Sequence, residues 1–173
     1  LIKYASNAFL ATKISFINQI ADLCEELDAD VNYVARGMAL DKRIGDKFLH
    51  PGPGYGGSCF PKDTIALVKT SEDHGIDTSI VRAVIEYNNL RKKSLIKKIK
   101  QHMYGQLNNK KIAILGLSFK PETDDMRESP SLDVIPELLK YKADIHVFDP
   151  VAMDEAKKHL KNINYSENIE NCL

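Results

Sequence analysis

Between Ile2 and Leu27 apolar residues recur at helical spacing in two stripes. One runs through Phe9, Phe16, Ile20, Leu23 and Leu27, the other through Leu10, Ile14, Ile17, Ala21 and Cys24. A helix apolar over so broad a face is buried on more than one side. A central helix that also meets a second subunit satisfies this. Asp30 is placed to cap a short helix reaching about Met38. From Ala39 to Lys62 the period is lost, and residues 50–57 (His-Pro-Gly-Pro-Gly-Tyr-Gly-Gly) read as a glycine- and proline-rich loop. Helical spacing returns from about Lys62 to His74 and again from Thr78 to Met103. In the latter, Ile80, Val84, Tyr87, Leu90 (or Arg91), Leu95 and Ile99 supply one face, and the opposite Lys/Arg-rich face reads as solvated surface.

At Gly105 to Asn109 the character changes. Lys111 to Gly116 is a continuous apolar strand, followed by a helix near Ser131 to Tyr141, a strand from Asp144 to Phe148 and a helix from Ala152 to Leu160. Asn162 to Tyr165 reads as a third strand. Strands alternating with helices of these lengths imply a parallel sheet with right-handed crossovers. The expected organisation is an all-helical domain over residues 1–105 and the start of an α/β domain over 106–173.

Composition narrows the functional classes. The chain has 173 residues, with 24 basic and 24 acidic side chains that cancel, so no electrostatic footprint for nucleic acid or an anionic membrane stands out. The longest strongly apolar run, near Ile112 to Leu117, is far short of the ~20 residues that span a bilayer. Three cysteines, Cys24, Cys59 and Cys172, lack the paired spacing of a disulfide framework or a zinc site, so no metal is expected. The cytoplasm is the expected compartment. The chain opens on Leu1 inside one apolar pattern and stops inside another, so it is expected to be a piece of a longer protein.

The chemistry gathers around the loop. Gly52, Gly54 and Gly57 satisfy the dinucleotide fingerprint G-x-G-x-x-G literally, but no strand precedes them and Pro51 and Pro53 interrupt them. The run is rejected as a phosphate loop. Glycines there permit close backbone approach to a ligand or to another chain segment; a tight structural turn would need fewer glycines, so approach to a ligand is the favoured option. Cys59 follows directly, placed just outside a helix start at which the dipole favours a thiolate, with Asp63 one turn later. A single cysteine is otherwise a small buried hydrophobe; Cys24 fits that description, and Cys59 reads as a nucleophile. Lys3 and Asn7, spaced i, i+4, share a helix face, and a lysine in a first turn opposes the dipole. In the second region, residues 116–130 (Gly-Leu-Ser-Phe-Lys-Pro-Glu-Thr-Asp-Asp-Met-Arg-Glu-Ser-Pro) lie at the carboxyl end of a strand, where open α/β sheets bind ligands. Lys120 and Arg127 are candidates for phosphates, Ser129 for a helix cap, and Asp149 for a ribose-binding acid. With one glycine in the first turn, a mononucleotide or nucleotide-sugar fits better than a standard NAD site.

Residues 54–63 (Gly-Tyr-Gly-Gly-Ser-Cys-Phe-Pro-Lys-Asp) together with 116–130, in this order and with Lys3 and Asn7 in register, resemble the UDP-glucose/GDP-mannose dehydrogenase family. Asp41-Lys-Arg-Ile-Gly45 and the Tyr55 loop are most similar to its UDP-glucose branch. The resemblance covers essentially the whole chain and implies a central helical dimerisation domain followed by a partial Rossmann-like nucleotide-sugar domain. It implies oxidation of a sugar C6 alcohol to a carboxylate with two NAD, through an aldehyde held on the enzyme. Cys59 would form a thiohemiacetal and then a thioester, with Lys3, Asn7 and Asp63 as the other catalytic residues. Arg43 would reach the substrate of a neighbouring subunit, making a homodimer through the 2–27 helix. Phe48, Tyr55 and Gly56 would line the uridine and sugar, Phe119 and Lys120 the nucleotide and diphosphate, and Arg127 would touch NAD. The N-terminal dinucleotide domain of the family is absent from the sequence, so this chain alone is expected to be inactive. The rivals are GDP-mannose or a UDP-N-acetylhexosamine as substrate, or a binding and dimerisation module without catalysis.

Overall fold

The structure, a computed structural model, describes all residues from Leu1 to Leu173. Four helices come first: α1 (Ile2–Glu26), α2 (Val31–Ala39), α3 (Phe60–Asp73) and α4 (Ser79–His102). The pattern then alternates through β1 (Lys111–Leu115), α5 (Pro130–Lys140), β2 (Asp144–Phe148), α6 (Met153–His159), β3 (Asn164–Tyr165) and α7 (Ile169–Cys172). A helical region thus precedes a partial α/β region, as the periodicity predicts. The chain divides into two compact units: Leu1–Tyr55 with Cys59–Arg91, and Lys92–Leu173 with Gly56–Ser58.

In the first unit α1 packs on α3 and α2. Of the two stripes on α1, one is covered: Ile17, Ala21 and Cys24 are buried, and Leu10 and Ile14 are half-buried. The other, through Phe9, Phe16, Leu23 and Leu27, stands in solvent. Asp30 caps α2 as its spacing predicts, accepting the Asn32 amide at 2.8 Å. The buried apolar centre is small, formed by Ala11, Tyr55 and Val84 with Ile14 and Phe60 against them.

In the second unit the three strands are parallel in the order β1-β2-β3. Lys111 stands opposite Asp144 and Leu115 opposite Phe148. Ser129 caps α5, and Pro130 opens it, where a missing N–H costs nothing. Ile135, Leu138, Ile145 and Val147 fill a continuous core with Leu117 and Met126 from the β1–α5 connection. No helix is long and apolar enough to cross a membrane.

Candidate active site

Cys59 is the N-cap of α3 and is exposed, so its sulfur sits at the positive end of a 14-residue helix. The Asp63 amide donates to the Cys59 carbonyl at 2.8 Å, which stacks the acid one turn below the thiol. Asp63 itself is only 1% exposed. Its carboxylate is held by two side chains from the first two turns of α1. The Lys3 ammonium lies 3.0 Å from Oδ2, and the Asn7 amide donates to the same oxygen at 2.6 Å. The i, i+4 spacing on α1 is what brings both to one acceptor.

The electrostatics follow from that contact. The hydrogen bond from Lys3 holds the Asp63 carboxyl below its ordinary range against the opposing effect of burial, with Asn7 and Lys62 adding to it. In turn Asp63 raises Lys3, chiefly through the same hydrogen bond, and nearby Cys59 adds a smaller contribution. The result is a cation aimed at a buried anion beside an exposed thiol. Such a set can stabilise a developing oxyanion on an electrophile attacked by sulfur and can shuttle a proton to it.

Aromatic rings wall this region. Phe60 meets Tyr55 edge to face at 5.9 Å and Phe48 at 6.0 Å. Phe48 adopts a left-handed backbone (φ +63°), an uncommon conformation for a bulky residue. Tyr55 turns its ring into the core and is 6% exposed, which leaves its backbone, the part expected along the uridine and sugar, at the loop. Its amide and carbonyl are both engaged by Asn88, at 2.8 and 3.1 Å. Arg43 lies on the exposed turn after α2, with its guanidinium forked onto Asp41 (2.6 to 3.1 Å), and is not joined to the Lys3–Asn7–Asp63 cluster.

The second unit gathers its own expected residues on the β1–α5 connection. The Phe119 ring lies against Gly57, where a Cβ would come within 2.7 Å of it, and Gly57 (φ +82°) donates to the Arg127 carbonyl at 2.7 Å. At Gly56 a Cβ would fall 2.2 Å from the Glu128 carbonyl oxygen. These two glycines are therefore needed for close approach to another chain segment. Lys120 places its ammonium 5.4 Å from the Phe119 ring centroid. The Arg127 guanidinium binds both oxygens of Asp125 (2.9 and 2.6 Å) and draws that carboxyl down to about 2.

Asp149 does not behave as a ribose-binding acid. One carboxylate oxygen accepts the amides of Leu117 and Ser118, the other those of Val151 and Ala152, at 2.7 to 3.3 Å. Burial pushes this carboxyl up, and the four amides outweigh it and hold it below its ordinary value. The amides of Leu117 and Ser118, which a pyrophosphate would use at such a turn, are already taken. This connection forms no dinucleotide cradle.

A polar framework that the hydrophobic pattern does not signal lies behind the loop. Asn18, 1% exposed, accepts the Gly52 amide at 2.7 Å, and Arg91 donates to the Gly52 carbonyl at 2.9 Å while also binding Asp22. Tyr87 donates to the other oxygen of Asp22 at 2.7 Å. The available signal was a polar Asn between Ile17 and Ala21 on the covered stripe of α1.

Comparison with known proteins gives two family matches. Residues 1–90 match the central domain of the UDP-glucose/GDP-mannose dehydrogenase family, and residues 113–173 match its UDP binding domain. A UDP-glucose 6-dehydrogenase of Rhizobium meliloti is 52% identical over 164 residues, 95% of this chain and 38% of that protein. A UDP-glucose 6-dehydrogenase of Bacillus subtilis is 50% identical over 174 residues, all of this chain and 39% of that protein. The solved structure of a UDP-glucose dehydrogenase from the hyperthermophilic archaeon Pyrobaculum islandicum superposes with a TM-score of 0.92 at 41% identity, over 97% of this chain and 39% of its own. The chain thus spans under two fifths of the length of these relatives.

Proposed function

Because the chain belongs to the UDP-glucose/GDP-mannose dehydrogenase family, we propose that it supplies the thiol-bearing and nucleotide-sugar-binding parts of an NAD-dependent UDP-glucose 6-dehydrogenase. The observation that carries this reading is Cys59 at the start of α3 above an Asp63 clamped by Lys3 and Asn7. The names of the relatives at about half identity favour UDP-glucose over GDP-mannose or a UDP-N-acetylhexosamine.

In this reading the C6 alcohol first loses a hydride and its hydroxyl proton to give an aldehyde, and the Cys59 sulfur then adds to C6, forming a C–S bond as the carbonyl π pair moves to oxygen. Lys3 faces that oxyanion, and Asn7 is a further donor. Loss of hydride from C6 turns the thiohemiacetal into a thioester. Water, positioned by Asp63, then attacks C6 and expels the thiolate, leaving the carboxylate. NAD, when bound, would supply the oxidising power by accepting the hydride at each oxidation. Of the residues in this chain only Arg127 is assigned to touch it, since the β1–α5 turn makes no cradle for it. Phe119, Lys120 and the 48–56 backbone are assigned to the nucleotide-sugar. Arg43, exposed and paired only within its own turn, is assigned to a neighbouring subunit's substrate, and the uncovered stripe of α1 to a homodimer.

The test replaces Cys59 with Ser in the full-length dehydrogenase. Net acid formation should fall on the order of 10³-fold or more, with UDP-glucose affinity nearly unchanged by calorimetry. Wild-type turnover in that variant would falsify the covalent route. In the same protein, Arg43→Ala mixed with Cys59→Ser should regain partial activity if Arg43 acts in trans.

A further inference from the structure

Three polar side chains from two helices converge on one loop without belonging to the reacting cluster. On α1, Asn18 accepts the amide of Gly52 (2.7 Å). On α4, Arg91 donates to the carbonyl of the same Gly52 (2.9 Å), and Asn88 accepts the Tyr55 amide (2.8 Å) and donates to the Tyr55 carbonyl (3.1 Å). Each is withdrawn from water: Asn18 is 1% exposed, Asn88 4%, and the Arg91 side chain 10%. Asp22, one turn beyond Asn18, pairs with Arg91 and accepts from Tyr87, which fixes the direction of the guanidinium.

Buried polar groups cost stability unless fully bonded, and a turn can be held by apolar contact alone. What directional hydrogen bonds add is position. Gly52 is gripped through both its amide and its carbonyl, and so is Tyr55. The two residues between them, Pro53 and Gly54, are thereby fixed. Gly54 has φ +119°, a backbone that side-chain-bearing residues rarely adopt and that glycine takes without strain.

We infer that Asn18, Asn88 and Arg91 are positioning residues that preset residues 52–55 for the nucleotide-sugar before it arrives. The inference rests on the substrate reading above. None of the three touches the sugar carbon; they act through the loop backbone. Presetting spares the bound state the ordering of a glycine-rich segment. A loosened loop would therefore weaken substrate binding and misplace the sugar relative to Cys59.

The experiment uses the full-length dehydrogenase. Asn18→Leu removes the acceptor at similar size, Asn18→Asp keeps it, and Arg91→Met removes the second grip on Gly52. With Asn18→Leu, exchange of the Gly52 amide should accelerate, the KM for UDP-glucose should rise on the order of tenfold, and kcat should fall less. Asn18→Asp should restore KM. If Asn18→Leu does not fold, Arg91→Met carries the same expectation. Faster Gly52 exchange with an unchanged KM overturns the inference, because the residues are then structural only. Unchanged exchange overturns it as well. If the unsubstituted enzyme does not turn over UDP-glucose, the substrate reading fails before any variant is made. The same comparison is then run with the nucleotide-sugar that it does oxidise.

Discussion

In the first unit Phe9, Phe16, Leu23 and Leu27 lie open along α1, each 46 to 67% exposed, whereas in the second Ile135, Leu138, Ile145 and Val147 are all but sealed from solvent. The helical unit is held by a small apolar centre together with buried polar pairs: Asp63 with Lys3 and Asn7, Asn88 with Tyr55, Asn18 with Gly52. The α/β unit closes a continuous apolar core and uses polar bonds at its loop ends, through Asp149 and Ser129. Burial of apolar surface is non-directional, while hydrogen bonds fix position. One region is therefore built for its own stability, the other for holding reactive groups in place and offering an apolar face.

The largest test of this contrast is Leu138→Ala. Removing a fully buried side chain from the sealed core should cost about 2–5 kcal/mol, read by chemical denaturation. A loss below about 0.5 kcal/mol would mean that the second unit is not core-dominated. Next is Asp149→Asn. It weakens bonds to four buried or half-buried amides, and a cost of about 1–3 kcal/mol is expected.

A pH titration compares the two units directly. Asp63 and Asp149 both have folded-state pKa values held below the ordinary carboxylate value. Their contributions are thus present above about pH 4 and are lost as pH falls through the lowered values. Protection of the amides near Asp63 and near Leu117, taken relative to the intrinsic exchange rate at each pH, should fall only in that acid window. A fall in protection between pH 6 and 8 would contradict the assignment.

The smallest effect on intrinsic stability is expected for Phe16→Asp, within about 0.5 kcal/mol for an exposed position. Its effect on association should be large. Sedimentation at micromolar concentration should show the unsubstituted protein as a dimer and the variant as a monomer. A monomer in both would remove the assignment of the open stripe to a second subunit.

Much of this was legible without coordinates. The helical repeat, the break at 105–109 and the strand–helix alternation follow from local period, because burial of one face imposes 3.6- or 2-residue spacing on the chain. The Asp30 and Ser129 caps were readable for the same local reason. So was Cys59 at a helix start with Asp63 one turn on, and Lys3 with Asn7 on one face. Local spacing thus dictates which elements form and which reactive groups lie one helical turn apart.

What those groups meet depends on how the elements pack. That Lys3 and Asn7 close on Asp63, 60 and 56 residues away in the chain, depends on α1 packing against α3. Gly56 and Gly57 serve the backbone at 127–128 and the Phe119 ring because of how the chain folds back on itself. Asp149, read by analogy as a ligand acid, is consumed by four amides from two connections that only the folded sheet brings together. Which of the two stripes on α1 is covered was equally undecided by spacing, since both carry the same period. Hydrogen-bond partners distant in sequence are chosen by packing, and no local pattern encodes them.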